Sequence, residues 1–220
     1  MTHRIFVQAR MSSARFPGKM LAPFRGRPLI AHVLERFRKA DLHSRVVVLT
    51  SLDPTDDPLA DFVANRCAVP AFRGDLDNVA ARFQSALKEY PCEWFVRISG
   101  DSPWIDASLV QAMIGFCDPS CDLVSNVVQR TFPPGQSVEC VRSDAYQSLD
   151  TGKLTPSQRE HVTKVFYDRP DGWRLRGVIC ENPEWAKVRM VVDQLDDLRV
   201  LEGGPERPAS FGLLARVVQA

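Results

Sequence analysis

The chain has 220 residues, with 28 Lys plus Arg against 27 Asp plus Glu and a formal net charge of +1. That length suits one large domain with a sizeable core. The balanced charge excludes a general attraction to nucleic acid or an anionic membrane, so any polyanion must be met by a local cluster of cations.

Ile5-Phe6-Val7 is an apolar run too brief for a helix and reads as a strand. It empties into Gln8-Ala9-Arg10-Met11-Ser12-Ser13-Ala14-Arg15-Phe16-Pro17-Gly18-Lys19, a loop of small residues carrying three cations with Pro-Gly punctuation between the last two. Small side chains at Ala9, Ser12, Ser13 and Ala14 let backbone N–H groups approach an anion. Arg10 and Arg15 offer planar forks and Lys19 a mobile point charge, a composition that suits phosphate. A solvated basic turn after an edge strand explains the same charges, and neither the P-loop nor the dinucleotide glycine pattern is present.

Pro28 to Ala40 reads as a helix with Leu29, Ile30, Val33, Leu34 and Phe37 on one face, and His32 as a packing or surface residue within it. Arg45 to Thr50 is a β-branched strand, and Ser51 to Pro58 a loop whose Asp-Pro ending starts the next helix. Val69 to Phe72 is a short strand, Arg73-Gly74-Asp75 a turn, and Asn78 to Tyr90 a helix. Glu93 to Ser99 is a fourth strand running into Gly100-Asp101-Ser102-Pro103, and Asp106 caps a helix through Phe116. This alternation predicts an α/β fold, three-layer, with a mostly parallel sheet and helices on both faces. Ligands then sit beyond the carboxyl ends of the strands, where the Arg10 loop and Asp101 both fall.

The second half is less regular. Asp122 to Asn126 reads as a strand, Thr131 to Gln136 as a turn-rich excursion, and Val138 to Val141 as a short strand. Helices are expected over Asp144 to Leu149, capped by Ser143, and over Pro156 to about Asp168. Arg174 to Cys180 and Lys187 to Val192 read as strands. Leu195 to Leu201 and Phe211 to Val218 read as closing helices, separated by Gly203-Gly204-Pro205. The longest apolar runs, such as Val46-Val47-Val48-Leu49, are far below membrane-spanning length, and Met1 to Arg4 lead straight into a strand without secretory signal features. A cytoplasmic location is therefore expected, and with it reduced thiols for Cys67, Cys92, Cys117, Cys121, Cys140 and Cys180. Cys117 and Cys121 lack the further ligands that a metal site would need.

Asp101 and Asp193 each follow an apolar run at a strand end, a good place for Mg²⁺, which binds through one or two carboxylates and keeps its remaining positions for phosphate and water. A turn or helix-cap aspartate is the competing reading for each. Asp196 and Asp197 read as helix-start charge against the helix dipole.

The Gln8 to Lys19 string, Arg97-Ile98-Ser99-Gly100-Asp101-Ser102-Pro103 and Arg159-Glu160-His161-Val162-Thr163 together resemble, in order, motifs of the cytidylyltransferase family. That family includes spore-coat polysaccharide biosynthesis proteins and the acylneuraminate and Kdo types of CMP-sugar-acid synthetase. The similarity runs from Ile5 to about Leu201 and is nearest the spore-coat branch. It implies a nucleotide-diphospho-sugar transferase (GT-A-like) domain over 1–220, with a dimerisation and acceptor subregion at 127–155, and a homodimer. It also implies Mg²⁺-dependent transfer of CMP from CTP to a sugar acid or related anionic acceptor, with release of pyrophosphate, in surface polysaccharide synthesis. By resemblance, Arg10, Arg15 and Lys19 hold the triphosphate, and Asp101 and Asp193 hold the metal, although Asp193 lacks the Thr that commonly precedes it and the Thr-Pro that often follows. Ala9, Ser12, Ser13, Arg73, Gly74, Asp75, Arg97, Ser99 and Gly100 would seat the nucleotide. Asn126, Thr131, Gln136, Glu139, Arg159 and His161 would meet the acceptor. A glycosyltransferase would use the same pocket for a nucleotide sugar, but no Asp-x-Asp stands at the metal strand. A catalytically silent nucleotide-binding subunit is the third reading.

Overall fold

The computed structural model describes residues 1–204 and 210–219. The first strand, β1 (His3–Gln8), is followed by a small hairpin of β2 (Pro23–Phe24) and β3 (Arg27–Pro28), then α1 (Leu29–Lys39), β4 (Val46–Ser51), α2 (Asp57–Cys67) and β5 (Ala71–Gly74). α3 (Val79–Glu89), β6 (Trp94–Ser99), α4 (Ala107–Gly115), β7 (Leu123–Ser125) and β8 (Glu139–Arg142) complete the centre. Then come α5 (Ser143–Gln147), α6 (Pro156–Glu160), α7 (Lys164–Asp168), β9 (Leu175–Cys180), α8 (Leu195–Gly203) and β10 (Ala215–Gln219).

Eight strands form one sheet in the order β10-β9-β7-β8-β6-β1-β4-β5. β1 pairs in parallel with β4 and β6, β4 with β5, and β7 with β9; β8 and β10 run antiparallel to their neighbours. β4 is buried at every position, as expected of a parallel strand covered on both faces. One face packs Ile5, Val7, Phe37, Val96 and Val110. The other packs Phe6, Phe83, Phe95, Tyr146 and Phe166, with Phe6 and Phe95 stacked at 5.6 Å. Helices therefore cover both sides, giving three layers. A third, smaller cluster of Phe24, Leu29, Trp104, Val192, Leu198 and Leu201 lies beneath the hairpin and α8.

Several elements differ from the sequence reading. Pro28 is the N-cap of α1, with ψ 140, because its ring belongs to the hairpin strand before the helix begins. Arg73 and Gly74 continue β5 instead of turning, since Thr50 and Ser51 of β4 pair with them. The helix expected from Pro156 to Asp168 is two short helices, broken where buried Val162 takes φ 40. Lys187 to Val192 forms no strand: a 3₁₀ turn at Pro183–Lys187 leads into irregular backbone pinned by Met190 N–H to Pro134 O and Val192 N–H to Asp101 O. Phe211 to Val218 is a 3₁₀ turn followed by edge strand β10, whose β-branched Val217 and Val218 pair with β9. Pro205 lies outside the described residues. The stretch 127–155 carries β8 into the interior of the sheet. All six cysteines are free thiols. Among the described residues, no helix is long and apolar enough to cross a membrane.

Candidate active site

The parallel register of β1 and β6 sets Gln8 beside Ser99, so the Ala9 loop and the Gly100-Asp101 turn leave the sheet side by side. Gly100 N–H donates to Gln8 O at 2.8 Å. A Cβ on Gly100 would lie 2.9 Å from the Ala9 Cβ, so only glycine permits this approach. The loop then folds on itself, with Ser13 N–H and Gly18 N–H both donating to Met11 O, and Gly18 at φ +76. Its base is fixed by Asp56, a fully buried carboxylate that accepts from Met11 N–H at 2.6 Å and from Ser51.

These constraints deliver Lys19, 6% exposed, into the centre of the site. Its Nζ donates to Asp101 Oδ2 at 2.7 Å and Val192 O at 2.8 Å, and lies 3.6 Å from Asp193 Oδ1. Asp101 also accepts from Ser99 Oγ at 2.6 Å. Asp193 is held by Arg15 at 3.1 Å and Arg189 at 2.7 Å. Burial alone would raise the Asp193 pKa, but the Arg189 hydrogen bond and the charges of Lys19 and Arg15 outweigh it and hold the carboxyl below its usual range. Asp197 is drawn down to about 2, first by its bond to Arg189 and then by the backbone N–H groups of Asp193 and Gln194.

A cleft of about 290 Å³ collects Gln8, Ala9, Arg10, Ser13, Ala14, Arg15, Lys19, Met20, Arg97, Ser99, Asp101, Glu160 and Asp193. The two carboxylates that the sequence placed far apart thus meet on one ammonium, with three further guanidiniums around them. Two convergent carboxylates fit a hard divalent cation whose remaining coordination comes from phosphate oxygens and water, rather than a closed protein cage. Among the described residues, no group of three or more His, Cys, Asp or Glu is poised as such a cage.

Arg97 forms the wall between this cleft and a larger cavity of about 770 Å³. Its guanidinium donates to Gln8 Oε1 at 3.2 Å and 3.3 Å and to Glu139 Oε2 at 2.5 Å. Glu139, 3% exposed, accepts in addition from Thr163 Oγ1 at 2.7 Å and Tyr167 Oη at 2.5 Å. Burial, reinforced by Glu139, pushes the Tyr167 phenol up, so it stays a donor. Arg130, His161 and Lys164 add positive or titratable groups to the larger cavity's lining.

Other expected residues stand elsewhere. Arg73 donates to Ser51 O and Asp53 O and pairs with Asp57, and Asp75 accepts from Asp77 N–H and Asn78 N–H, outside the 290 Å³ cleft. Gly74 is crowded by the buried Arg82, whose Cγ a Cβ would meet at 2.7 Å. Ser12 is exposed and does not line the cleft. Asn126 and Gln136 are buried: Asn126 bonds Gln136 O and Val138 N–H, while Gln136 bonds Asp106 N–H and Trp104 O. Both also border a small hollow of about 150 Å³. Thr131 accepts from Cys180 N–H, and Arg159 donates to Gly152 O, and neither lines the 290 Å³ cleft or the 770 Å³ cavity. Conversely, Glu160 pairs with Arg10 at 3.2 Å and Thr163 with Glu139, roles that the Arg-Glu-His-Val-Thr string signals only once its helix is known to break at Val162.

Comparisons with known proteins bear on the family and the fold. A solved cytidylyltransferase from Leptospira borgpetersenii is similar at 29% identity, with a TM-score of 0.87, over 92% of this chain and 85% of that one. A CMP:2-keto-3-deoxy-manno-octonic acid synthetase solved with CTP shares the fold at a TM-score of 0.66 and 18% identity, over 92% of this chain and 97% of that one. The spore coat polysaccharide biosynthesis protein SpsF of Bacillus subtilis is 27% identical over 87% of this chain and 81% of its own length. The family described as Cytidylyltransferase matches residues 5–177, a span holding the basic loop, Asp101, Arg97 and Glu139, and this chain belongs to it.

Proposed function

We propose that this cytidylyltransferase moves CMP from CTP to a sugar acid or related anionic acceptor, releases pyrophosphate, and uses Mg²⁺. The observation that carries the reading is the convergence of Asp101 and Asp193 on Lys19 at the carboxyl ends of β1 and β6. In-line attack on an α-phosphate needs charge neutralisation and positioning more than a protein nucleophile. Arg10, Arg15 and Lys19 supply three cations for a triphosphate, and Ser13 with the loop backbone completes the cradle. When bound between Asp101 and Asp193, Mg²⁺ would neutralise phosphate oxygens and orient the leaving pyrophosphate. The synthetase solved with CTP supports this choice of nucleotide.

The acceptor takes the 770 Å³ cavity, whose Arg97, Arg130 and Lys164 favour a carboxylate. Arg97 lines both spaces, so an acceptor gripped there has its hydroxyl near the nucleotide's phosphates. Glu139 holds Arg97 in that orientation. A homodimer, cytoplasmic location and a role in surface polysaccharide synthesis belong to the same reading. The test is pyrophosphate release with Mg²⁺ and each of the four nucleoside triphosphates against a panel of sugar acids. Release with CTP alone is expected; release with another nucleotide, or with nucleotide sugars as donors, overturns it.

A further inference from the structure

A cleft of about 650 Å³ lies against the outer face of α1 and shares no lining residue with the two cavities above. Arg25, Arg27, Arg36 and Lys39 bring four fixed positive charges to it, with His32 and Trp104, against the single carboxylate of Glu35. That carboxylate is already engaged by Arg38 at 2.6 Å and Lys39 at 3.7 Å. Such a concentration is unusual in a chain whose net charge is +1.

The cleft is built, not merely basic. Arg25 sits at φ 46 in the hairpin turn, and its Nη2 is anchored on Glu202 O at 2.8 Å and Gly204 O at 2.5 Å. Its guanidinium stacks over Trp104 at 5.3 Å. Its Nε is buried and has no hydrogen-bond partner among the described residues. The His32 ring registers the same field: burial lowers its pKa, and Arg27, Arg36 and Arg25 lower it further.

We propose that this cleft is a second anion site, taking a small phosphorylated anion with two or more negative charges. Arg25 presents a fixed guanidinium, Arg27 and Lys39 close over the ligand from the hairpin and the last turn of α1, and Trp104 forms the wall. The site is separate from the nucleotide cleft, although Trp104 packs in one cluster with Val192, whose carbonyl holds Lys19.

The test is calorimetric titration of inorganic pyrophosphate, at low ionic strength, into full-length protein carrying Arg15→Ala and Lys19→Ala to disable the nucleotide cleft. One-site binding is expected, weakened at least about tenfold by adding Arg27→Ser and Lys39→Ser. Both added positions are exposed, and an unchanged thermal melt confirms that the variant is folded. The proposal is overturned if the parent does not bind pyrophosphate or if the added substitutions leave its affinity unchanged. It is also overturned if vesicles containing phosphatidylglycerol are bound while free pyrophosphate is not, which assigns the patch to a membrane surface.

Discussion

Replacing Lys19 by Met removes the ammonium on which Asp101 and Asp193 converge and keeps an unbranched side chain of similar reach. The variant loses a charge-assisted bond of 2.7 Å to Asp101 and one of 2.8 Å to Val192 O, at a position 6% exposed. Asp101 keeps Ser99, and Asp193 keeps Arg15 and Arg189, so neither carboxylate is orphaned. The expected cost is therefore about 3 kcal/mol, below that of stripping a fully buried ion of every partner. For a domain of this size, that corresponds to a fall in Tm of roughly 6–12 °C by scanning calorimetry. Pyrophosphate release should fall by about 10²- to 10³-fold, as when one preorganised donor to a developing charge is lost. Mg²⁺ separates the metal site from simple packing. Without the lysine, the two carboxylates lose their competing cation, and Mg²⁺ at ten times its Kd should restore about 1.4 kcal/mol, more than in the unaltered protein. If Asp101→Asn added to Lys19→Met leaves that gain unchanged, the carboxylates do not form the metal site and the reasoning fails.

Asp101→Asn keeps shape and removes charge, so turnover should vanish while the protein stays folded with a lowered melt, because the buried Lys19 ammonium loses its nearest carboxylate; normal pyrophosphate release in this variant removes Asp101 from the chemistry. Asp197 has its pKa depressed from 3.8 to about 2, so its stabilisation is full above the ordinary value and is lost as pH falls towards about 2. Asp197→Asn should be less stable than the unaltered chain at neutral pH and converge with it below about pH 2, read from urea midpoints across the range. Glu139→Gln weakens the grip on Arg97 while keeping shape, and should raise the acceptor KM about tenfold with the CTP KM changed less than about twofold. Equal effects on both constants would make Glu139 a structural residue only. Val162 pairs full burial with φ 40, a backbone conformation costing a branched side chain roughly 1–2 kcal/mol. Val162→Gly relieves that strain and Val162→Ala keeps much of it, so Gly should be the milder substitution by urea denaturation, the reverse of the usual helix order.

The first half of the fold is legible because its signals are local. Leu29, Ile30, Val33, Leu34 and Phe37 recur at helical spacing and are all buried in α1. Asn78 and Asp106 cap α3 and α4 by accepting from Ala81 N–H and Ser108 N–H. In the second half, tertiary contacts overrule local pattern. Val217 and Val218 sit in a string that a helix would accept, yet an open edge of β9 recruits them as a strand. Met190 to Val192 is a short apolar run that reads as a strand, but its backbone is taken by Pro134 and by Asp101, so no ladder forms.

The same division runs through the site. The basic loop and Asp101 are readable because a strand end, small residues and cations stand consecutively in the chain. Glu139 is different: it lies on a strand reached only after a long excursion, and nothing within β8 says that its carboxylate orients Arg97 from β6. That pairing exists because β8 inserts antiparallel beside β6 and sets Arg97 opposite Glu139. Thr163 then reaches the same carboxylate only because the chain breaks at Val162, which also leaves Glu160, on the preceding turn, facing Arg10. One strained residue thus lets a five-residue string serve the 290 Å³ cleft with Glu160 and the wall of the 770 Å³ cavity with His161 and Thr163. In a continuous helix Glu160 and Thr163, three residues apart, would share one face; the break at Val162 lets them take separate partners. The strain at Val162 is accordingly tied to the placement of Glu160 beside Arg10 and of Thr163 beside Glu139.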